Sequence, residues 1–140
     1  MAARPYSESL ERLKKAQLRP TRQRLALCRI LFDRGHRHVT AEQLLAEAEG
    51  TGVRVSLATI YNSLHQFTRA GLLRQVIVDG AKTYFDTNVS GHHHFYNEAT
   101  GQLTDIPGER VNVTGLPPAP PGSEVESVDV TVRLKLKSRN

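Results

Sequence analysis

The sequence has little sulfur and no long apolar stretch, and these shortages exclude whole classes of protein. Cys28 is the only cysteine among the 140 residues. A single cysteine rules out an intramolecular disulfide and any zinc site built from cysteine pairs. No apolar run approaches the roughly 20 residues of a membrane-spanning helix, and residues 1–5 show no apolar signal region. We therefore expect a cytoplasmic protein with no membrane partner, and a hydrophobic content of 39% is enough to form a core.

Acidic residues are scarce only in the first part of the chain. Residues 1–80 contain 13 Lys or Arg against 7 Asp or Glu, whereas residues 81–140 contain 6 against 7. The formal net charge of +5 therefore belongs to the N-terminal part. A basic domain is typical of nucleic-acid binding, because each neutralised phosphate releases counterions. Charge alone favours a merely solvated basic face equally well.

Capping residues and glycines predict four helices in the first 75 residues. Thr21, Thr40 and Ser56 precede helical apolar spacing and suit the N-cap position. Gly71 suits the left-handed position that follows the fourth helix. The predicted helices run from Ser7 or Ser9 to Leu18, from Thr21 to Gly35, from Ala41 to Glu49 and from Leu57 to Ala70.

The pattern changes to strands after Gly71. Leu73–Val78 and Lys82–Phe85 flank Asp79-Gly80, a turn signal that predicts a hairpin. Helices followed by a small hairpin predict a winged helix-turn-helix domain over residues 1–85. Cys28 lies within the second helix among apolar residues, which predicts a buried thiol rather than a reactive one.

The remainder, residues 86–140, is predicted to form a second small domain with a three-stranded sheet. The strands are 93–96, 102–106 and 128–137, and the last alternates apolar and charged residues over ten positions, which predicts one buried face. That strand could equally provide a sheet edge for dimerisation. The proline-rich segment 116–122 is a stiff connector. The predicted fold class is therefore α+β.

The fourth helix has one apolar and one polar face. Ile60, Leu64 and Phe67 recur at helical spacing and point to the core, with Leu57 near the start. The other face carries Tyr61 and Asn62, which suit a major groove because Asn can bond adenine through two hydrogen bonds. The helix N-terminus favours phosphate, and Arg19 suits a narrowed minor groove. The predicted DNA-binding residues are Arg19, Ser56, Thr59, Tyr61 and Asn62.

Three of the six histidines are consecutive at the start of a predicted strand. Alternation places His92 and His94 on one face and His93 on the other. Two imidazoles on one face can ligate one metal, with Asp86 and Asp105 as oxygen donors, and His38 if the two domains fold against each other. Iron, manganese and zinc all suit such donors, and imidazoles beside aromatic rings could equally hold haem iron. A short histidine tract can also be only a solvated strand end.

The chain resembles the ferric uptake regulator (Fur) family over nearly its whole length. The resemblance rests on Leu18-Arg-Pro-Thr-Arg-Gln-Arg24, His38-Val-Thr-Ala-Glu42, Leu57-Ala-Thr-Ile-Tyr-Asn62 and the downstream His-x-His. It implies an N-terminal winged helix, an α/β dimerisation domain and a homodimer on a palindromic operator in double-stranded DNA. It also implies that Arg19 enters the minor groove and that Tyr61 contacts a base. The regulatory metal ligands it implies are His38, Asp86, His92, His94 and Asp105.

Three departures from the family pattern narrow the expectation. Asn97 and Thr100 stand where most members have the cysteines of a structural zinc site, so no zinc site of that type is expected. The long helix of the dimerisation domain is replaced by the proline-rich connector, and Asn62 stands where an arginine is usual. Three histidines without zinc cysteines are similar to the iron response regulator (Irr) branch.

Resemblance to the Irr branch implies a haem-responsive regulator of iron homeostasis and haem synthesis genes. Such a protein is active on DNA when iron is low and is released by haem, here through His92, His93 and His94. Enzymes of haem synthesis are then further expected partners.

The leading alternative is a repressor that depends on Fe or Mn or that senses peroxide, because the all-Asp oxygen ligands resemble the peroxide-sensing branch of the family. A metal-dependent enzyme or storage protein is a third hypothesis. The sequence disfavours it, because no nucleophile, base or phosphate-loop pattern accompanies the histidines. We therefore predict a regulator and not an enzyme.

Overall fold

The structure is a computed structural model that describes residues 6–79 and 82–138. The chain divides into two units, with the boundary between Val89 and Ser90. The sequence places the boundary after Phe85, and the assignment of DNA binding to one domain and dimerisation to the other stays a prediction. No helix in the described ranges has the length and apolar character needed to cross a membrane.

Four α-helices form most of the first unit: α1 (Ser7–Lys15), α2 (Arg22–Phe32), α3 (Ala41–Gly50) and α4 (Leu57–Arg69). The three predicted caps are confirmed, because the Thr21, Thr40 and Ser56 hydroxyls each accept a hydrogen bond from the backbone N–H three residues on. Each cap provides a partner for one of the N–H groups that a helix start leaves unpaired. Gly71 is left-handed at φ 83°, also as predicted.

The first helix begins at Ser7, one of the two predicted starts, but it ends earlier than predicted. Tyr6 occupies the N-cap position without a side-chain hydrogen bond. The helix ends at Lys15 rather than Leu18. Gln17 takes a left-handed φ of 60°, and the backbone N–H of Leu18 returns to the carbonyl of Leu13. This turn directs the chain into the loop that carries Arg19.

Three antiparallel strands complete the first unit: β1 (His38–Val39), β2 (Arg74–Asp79) and β3 (Lys82–Asp86), in the order β1-β3-β2. The strands β2 and β3 confirm the predicted pairing, although Gly80 of the predicted turn lies outside the described residues. The two-residue strand β1 is too short for a sequence pattern to indicate. The element order is that of a winged helix-turn-helix domain.

Apolar side chains from all four helices and the sheet form the core of the first unit. On α4, Ile60, Leu64 and Phe67 are fully buried, as predicted, whereas Leu57 is 37% exposed and the expectation that it faces the core is wrong. Leu57 occupies the first position of the helix, next to the exposed cap. The core comprises Leu13, Leu27, Cys28, Leu31, Val39, Ala41, Leu44, Ala48, Ile60, Leu64, Phe67, Leu73 and Phe85.

The second unit contains a small three-stranded sheet: β4 (His92–Asn97), β5 (Gln102–Pro107) and β6 (Thr131–Leu134), in the order β5-β4-β6. The strands β4 and β5 are antiparallel, while β6 runs parallel to β4. A 3-10 turn at Gly108–Arg110 is the only helical element in residues 90–138. Within residues 6–79 and 82–138, two sheets and four α-helices give the predicted α+β fold class.

The prediction for the last strand is wrong in length and in burial. Only Thr131–Leu134 form a strand, and Val128, Val132, Leu134 and Leu136 are exposed. The strand β6 is an edge that pairs with β4 over four positions. Its apolar side chains, Val132 and Leu134, are 37% and 38% exposed, so the alternation does not mark a buried face.

Candidate nucleic-acid interface and metal donors

The helix α4 presents the predicted DNA-reading residues on one side. Tyr61 and Asn62 are both exposed, and the buried residues of the same helix fix which side faces outward. The Ser56 and Thr59 hydroxyls are engaged with each other, because Ser56 Oγ accepts from the Thr59 N–H at 3.1 Å and donates to Thr59 Oγ1 at 2.9 Å. These two hydroxyls therefore form the cap, and their contact with phosphate stays a prediction.

Arg19 lies exposed in the loop between α1 and α2, as a minor-groove residue requires. Arg24, to which the sequence assigns no individual role, holds this loop in place. Its Nη1 donates to the carbonyl oxygen of Arg19 at 2.8 Å, and its Nη2 donates to Gln66 Oε1 at 2.9 Å. Arg24 thus links the Arg19 loop to α4. No local sequence pattern indicates this contact, because Arg24 and Gln66 lie 42 residues apart.

Tyr61 has two neighbours that fix its side chain. Its hydroxyl donates a hydrogen bond to Glu42 Oε1 on α3 at 2.9 Å. Its ring stacks on His65, with centroids 6.4 Å apart and planes 21° apart. The hydrogen bond to the Glu42 carboxylate raises the pKa of the Tyr61 phenol above its usual range. The sequence does not identify Glu42 as a candidate functional residue.

His38 and Asp86 are the predicted metal donors of the first unit, and strand register brings them together. They are opposite partners in the β1–β3 pair, and His38 Nε2 lies 3.2 Å from Asp86 Oδ2. Asp86 is fully buried, and its other oxygen accepts from the Asn88 N–H at 2.9 Å. Arg37, next to His38, pairs with Glu47 through both guanidinium nitrogens at 2.7 and 2.8 Å, which anchors β1 to α3.

His92, His94 and Asp105 are the predicted metal donors of the second unit. Both histidines are buried on the same face of β4, and His94 is the register partner of Asp105 on β5. The Nε2 atoms of both rings lie 3.4 Å from the same oxygen, Asp105 Oδ1. The ring centroids are 4.6 Å apart.

The tautomer of His92 suits a metal ligand. Its Nδ1 lies 2.6 Å from the carbonyl oxygen of Ser90, which only accepts, so Nδ1 carries a proton and Nε2 is the nitrogen that presents a lone pair when the ring is neutral. Metal-binding histidines usually donate their second ring nitrogen in this way. Two imidazole nitrogens and one carboxylate oxygen therefore fit a divalent ion such as Fe, Mn or Zn.

His93 does not join the other two histidines. It lies on the opposite face of β4, as alternation predicts, and its Nδ1 accepts a hydrogen bond from the Val130 N–H at 3.0 Å. The three residues predicted to bind haem therefore do not share a face. This arrangement lends no support to the haem prediction.

Asn97 and Thr100 occupy the places of the missing zinc cysteines and form a turn between β4 and β5. The Asn97 side-chain oxygen accepts from the backbone N–H groups of Ala99 at 3.0 Å and Thr100 at 3.3 Å. An Asx turn of this kind stabilises a tight connection between two strands.

Comparison with known proteins adds independent findings. The sequence profile described as the ferric uptake regulator family matches residues 15–131. The chain is 35% identical over 106 residues to the peroxide operon regulator of Bacillus subtilis strain 168, covering 76% of this chain and 72% of that protein. It is 34% identical over 99 residues to the peroxide-responsive repressor PerR of Staphylococcus epidermidis, covering 71% of this chain and 65% of that protein.

A solved structure matches the fold. The ferric uptake regulator from Pseudomonas aeruginosa, solved with manganese, superimposes with a TM-score of 0.69 at 24% identity. The match covers 93% of this chain and 98% of that one. The likeness extends over both units, and at this identity it supports the fold alone.

Proposed function

Because the chain belongs to the ferric uptake regulator family of DNA-binding regulators, we propose that it is a metal-dependent transcription repressor that holds Fe or Mn and responds to peroxide. The observation that carries the metal proposal is the convergence of His92 Nε2 and His94 Nε2 on one oxygen of Asp105. Two imidazole nitrogens that face one carboxylate oxygen form a donor set suited to a divalent cation.

The proposed ligands also include the pair in the first unit that the family resemblance implies. That pair, His38 and Asp86, is of the same chemical kind and is equally placed by strand register. When bound, the divalent ion supplies positive charge that holds the carboxylates and imidazoles in one arrangement. The proposed ligands are His38, Asp86, His92, His94 and Asp105.

The DNA-binding proposal rests on α4 and the loop beside it. Tyr61 and Asn62 face solvent, Arg19 is exposed, and the basic residues concentrate in residues 1–80. We propose that a homodimer reads a palindromic operator, because two-fold protein symmetry is matched by two-fold symmetry in the DNA. Asn62 replaces the usual arginine, so the preferred operator should differ from that of relatives.

The peroxide response is supported by the names of the two relatives, which are a peroxide operon regulator and a peroxide-responsive repressor. Neither belongs by name to the Irr branch. The alternative identified from the sequence is therefore favoured over the haem response. The haem response and a partnership with haem-synthesis enzymes stay predictions without support.

The experiment that tests metal dependence uses duplexes selected from a library with a randomised core. Fluorescence anisotropy should show binding that weakens steeply with salt. Adding Mn²⁺ to metal-free protein should tighten binding to the selected duplex by about 10- to 100-fold. Identical affinity with Mn²⁺ and with chelator would exclude metal dependence, and the absence of salt-dependent binding would exclude the DNA-binding function.

Ligand variants test the proposed set. His94→Ala and His38→Ala should each weaken Mn²⁺ binding by at least about 10-fold, measured by calorimetry. His36→Ala is the matched control, because His36 is exposed in the loop before β1 and is outside the set. A loss in His94→Ala without a loss in His38→Ala would restrict the site to the second unit.

Peroxide and haem are distinguished on the same DNA assay. Peroxide should release the iron-loaded protein from the selected duplex. The zinc-loaded protein should stay bound, because Zn²⁺ has no accessible redox change. Hemin should neither shift its Soret band nor weaken DNA binding. Release by hemin that disappears in His92→Ala/His93→Ala/His94→Ala would reverse the choice between the two functions.

A further inference from the structure

Glu42 is an acidic residue in the first turn of α3, where its charge suits the helix dipole, and it also lies beside the proposed DNA-reading tyrosine. It is the second residue of α3, and it is exposed. An exposed carboxylate beside a DNA-binding surface repels phosphate, so it weakens binding to every duplex. Its one described side-chain contact is the hydrogen bond from Tyr61 at 2.9 Å.

We propose that Glu42 is a positioning residue for operator recognition: it holds the Tyr61 hydroxyl so that the side chain enters DNA in one orientation with its oxygen as an acceptor. The inference rests on the proposed DNA-binding function and deepens it. It assigns a role to a residue of α3 rather than of α4, the helix that carries Tyr61 and Asn62.

The hydrogen-bond chemistry of Tyr61 carries the argument. A phenol has one O–H to donate and also oxygen lone pairs that accept. Because the proton is directed at the Glu42 carboxylate, the lone pairs remain for a base. In the major groove the donors that match an acceptor are the exocyclic amines of adenine and cytosine. Tyr61 should therefore select one of these amines rather than a carbonyl edge.

Pre-organisation is the second step. An exposed tyrosine on a helix samples several side-chain orientations, and fixing them on binding costs affinity. In this chain the ring already stacks on His65 and the hydroxyl is already bonded to Glu42. The bond to a charged acceptor is stronger than one between neutral groups. The cost of ordering Tyr61 is thus met within the folded protein before DNA arrives.

Loss of Glu42 should therefore change affinity and selectivity in opposite directions. Removing the negative charge should strengthen binding to unselected duplex DNA. Releasing Tyr61 should reduce discrimination, the ratio of affinities for the selected and the unselected duplex. A residue that only supports the fold would not produce this divergence.

The experiment measures discrimination for the Mn²⁺-loaded full chain by anisotropy, with a duplex selected by the wild type and calf-thymus DNA as the unselected duplex. Glu42→Ala should reduce discrimination by about 3- to 10-fold. Glu42→Gln should retain most of it, because the amide oxygen still accepts. Glu49→Ala, which removes an exposed carboxylate near the other end of α3, is the matched control and should retain discrimination.

A double variant isolates the pair. In Tyr61→Phe, which lacks the hydroxyl, the further change Glu42→Ala should cause no additional loss of discrimination. NMR titration gives a readout independent of DNA: the pKa of Tyr61 should fall toward its usual value in Glu42→Ala and stay raised in Glu49→Ala.

Three outcomes would overturn the inference. Equal discrimination in Glu42→Ala and Glu49→Ala would remove any role for Glu42 in recognition. A full Glu42→Ala loss in the Tyr61→Phe background would mean that Glu42 reads a base itself. Absence of salt-dependent duplex binding by the wild type would overturn the proposed function and this inference together, whereas the first two outcomes leave the proposed function intact.

Discussion

The two units of the chain bury polar side chains in different proportions. Among the described residues of the first unit, sixteen of the twenty buried side chains are apolar, and the four polar ones are Ser9, Ser63, Asp86 and Thr87. In the described part of the second unit the buried residues are His92, His94, Tyr96, Leu103 and Ile106. Two of these five are imidazoles at the proposed metal site. The first unit is therefore stabilised mainly by apolar burial, whereas the second depends much more on how its polar groups are satisfied.

This difference predicts where metal binding acts on stability. When donors form part of a thin core, the free energy of metal binding becomes folding free energy for that unit. The helical unit has a core of its own and should keep its structure when metal is removed. We expect the following changes to show that the two units are stabilised differently.

The largest effect should come from the apolar core. Phe67→Ala should lower the free energy of unfolding by about 3–5 kcal/mol, because a fully buried aromatic ring is replaced by a cavity. Leu136→Ala, at a position 71% exposed, should change it by no more than about 0.5 kcal/mol. Urea unfolding followed by circular dichroism measures both. Similar losses of unfolding free energy in Phe67→Ala and Leu136→Ala would contradict the burial of Phe67 and the exposure of Leu136.

The next largest effect should come from metal. Mn²⁺ at about 100 times its dissociation constant should stabilise the second unit by roughly 2.7 kcal/mol. Hydrogen exchange should therefore slow most in β4 and β5, and less in α2 and α4. In His94→Ala, Mn²⁺ should no longer slow exchange more in β4 and β5 than in α2 and α4. Uniform protection of both units would contradict the comparison.

A smaller effect should come from the cap of α4. Ser56→Ala should cost about 1 kcal/mol, because the Thr59 N–H loses its partner. The loss should appear in exchange of the first turn of α4 and not in β4. Ser56→Asp keeps a capping oxygen and is the control. An unchanged free energy of unfolding in Ser56→Ala would show that water replaces the hydroxyl.

The smallest effect concerns pH and Cys28. Burial raises the pKa of this thiol above its usual value. The folded protein therefore holds the thiol proton more tightly than the unfolded chain does. The protonated thiol contributes fully to stability below the pKa of the unfolded chain, and this contribution is lost as pH rises through the pKa of the folded protein. Iodoacetamide at mildly alkaline pH should therefore label Cys28 only when the first unit opens.

Mass spectrometry measures that labelling. Because the second unit contains no cysteine, the rate reports on the first unit alone, and added Mn²⁺ should change it less than it changes exchange in β4. Labelling as fast in the native protein as in urea would contradict the burial of the thiol.

The features that the sequence predicts correctly depend on residues that lie close together in the chain. Caps depend on residues three apart, so Thr21, Thr40 and Ser56 were identifiable from spacing, as were Ile60, Leu64 and Phe67 on one face of α4. Strand alternation likewise separated His93 from its neighbours. Each of these features involves residues close together in the chain.

Features that depend on distant residues could not be predicted. The bonds Tyr61–Glu42 and Arg24–Gln66 join residues 19 and 42 positions apart. The strand β1 is defined only by its pairing with β3. Alternation over residues 128–137 predicted a buried face, but whether a face is buried depends on what packs against it. Leu57 was misplaced because the first residue of a helix can face outward whatever its hydropathy.

The parallel pairing of β6 with β4 also has a consequence for the order of folding. Phe95 pairs with Val132, and the chain between them includes segment 111–130, which contains no helix or strand. Closing this loop costs conformational entropy before any contact is gained, whereas the β4–β5 hairpin closes locally. We therefore expect β6 to join the sheet last during folding and to detach first, opening one side of β4 while the hairpin with its histidines stays intact.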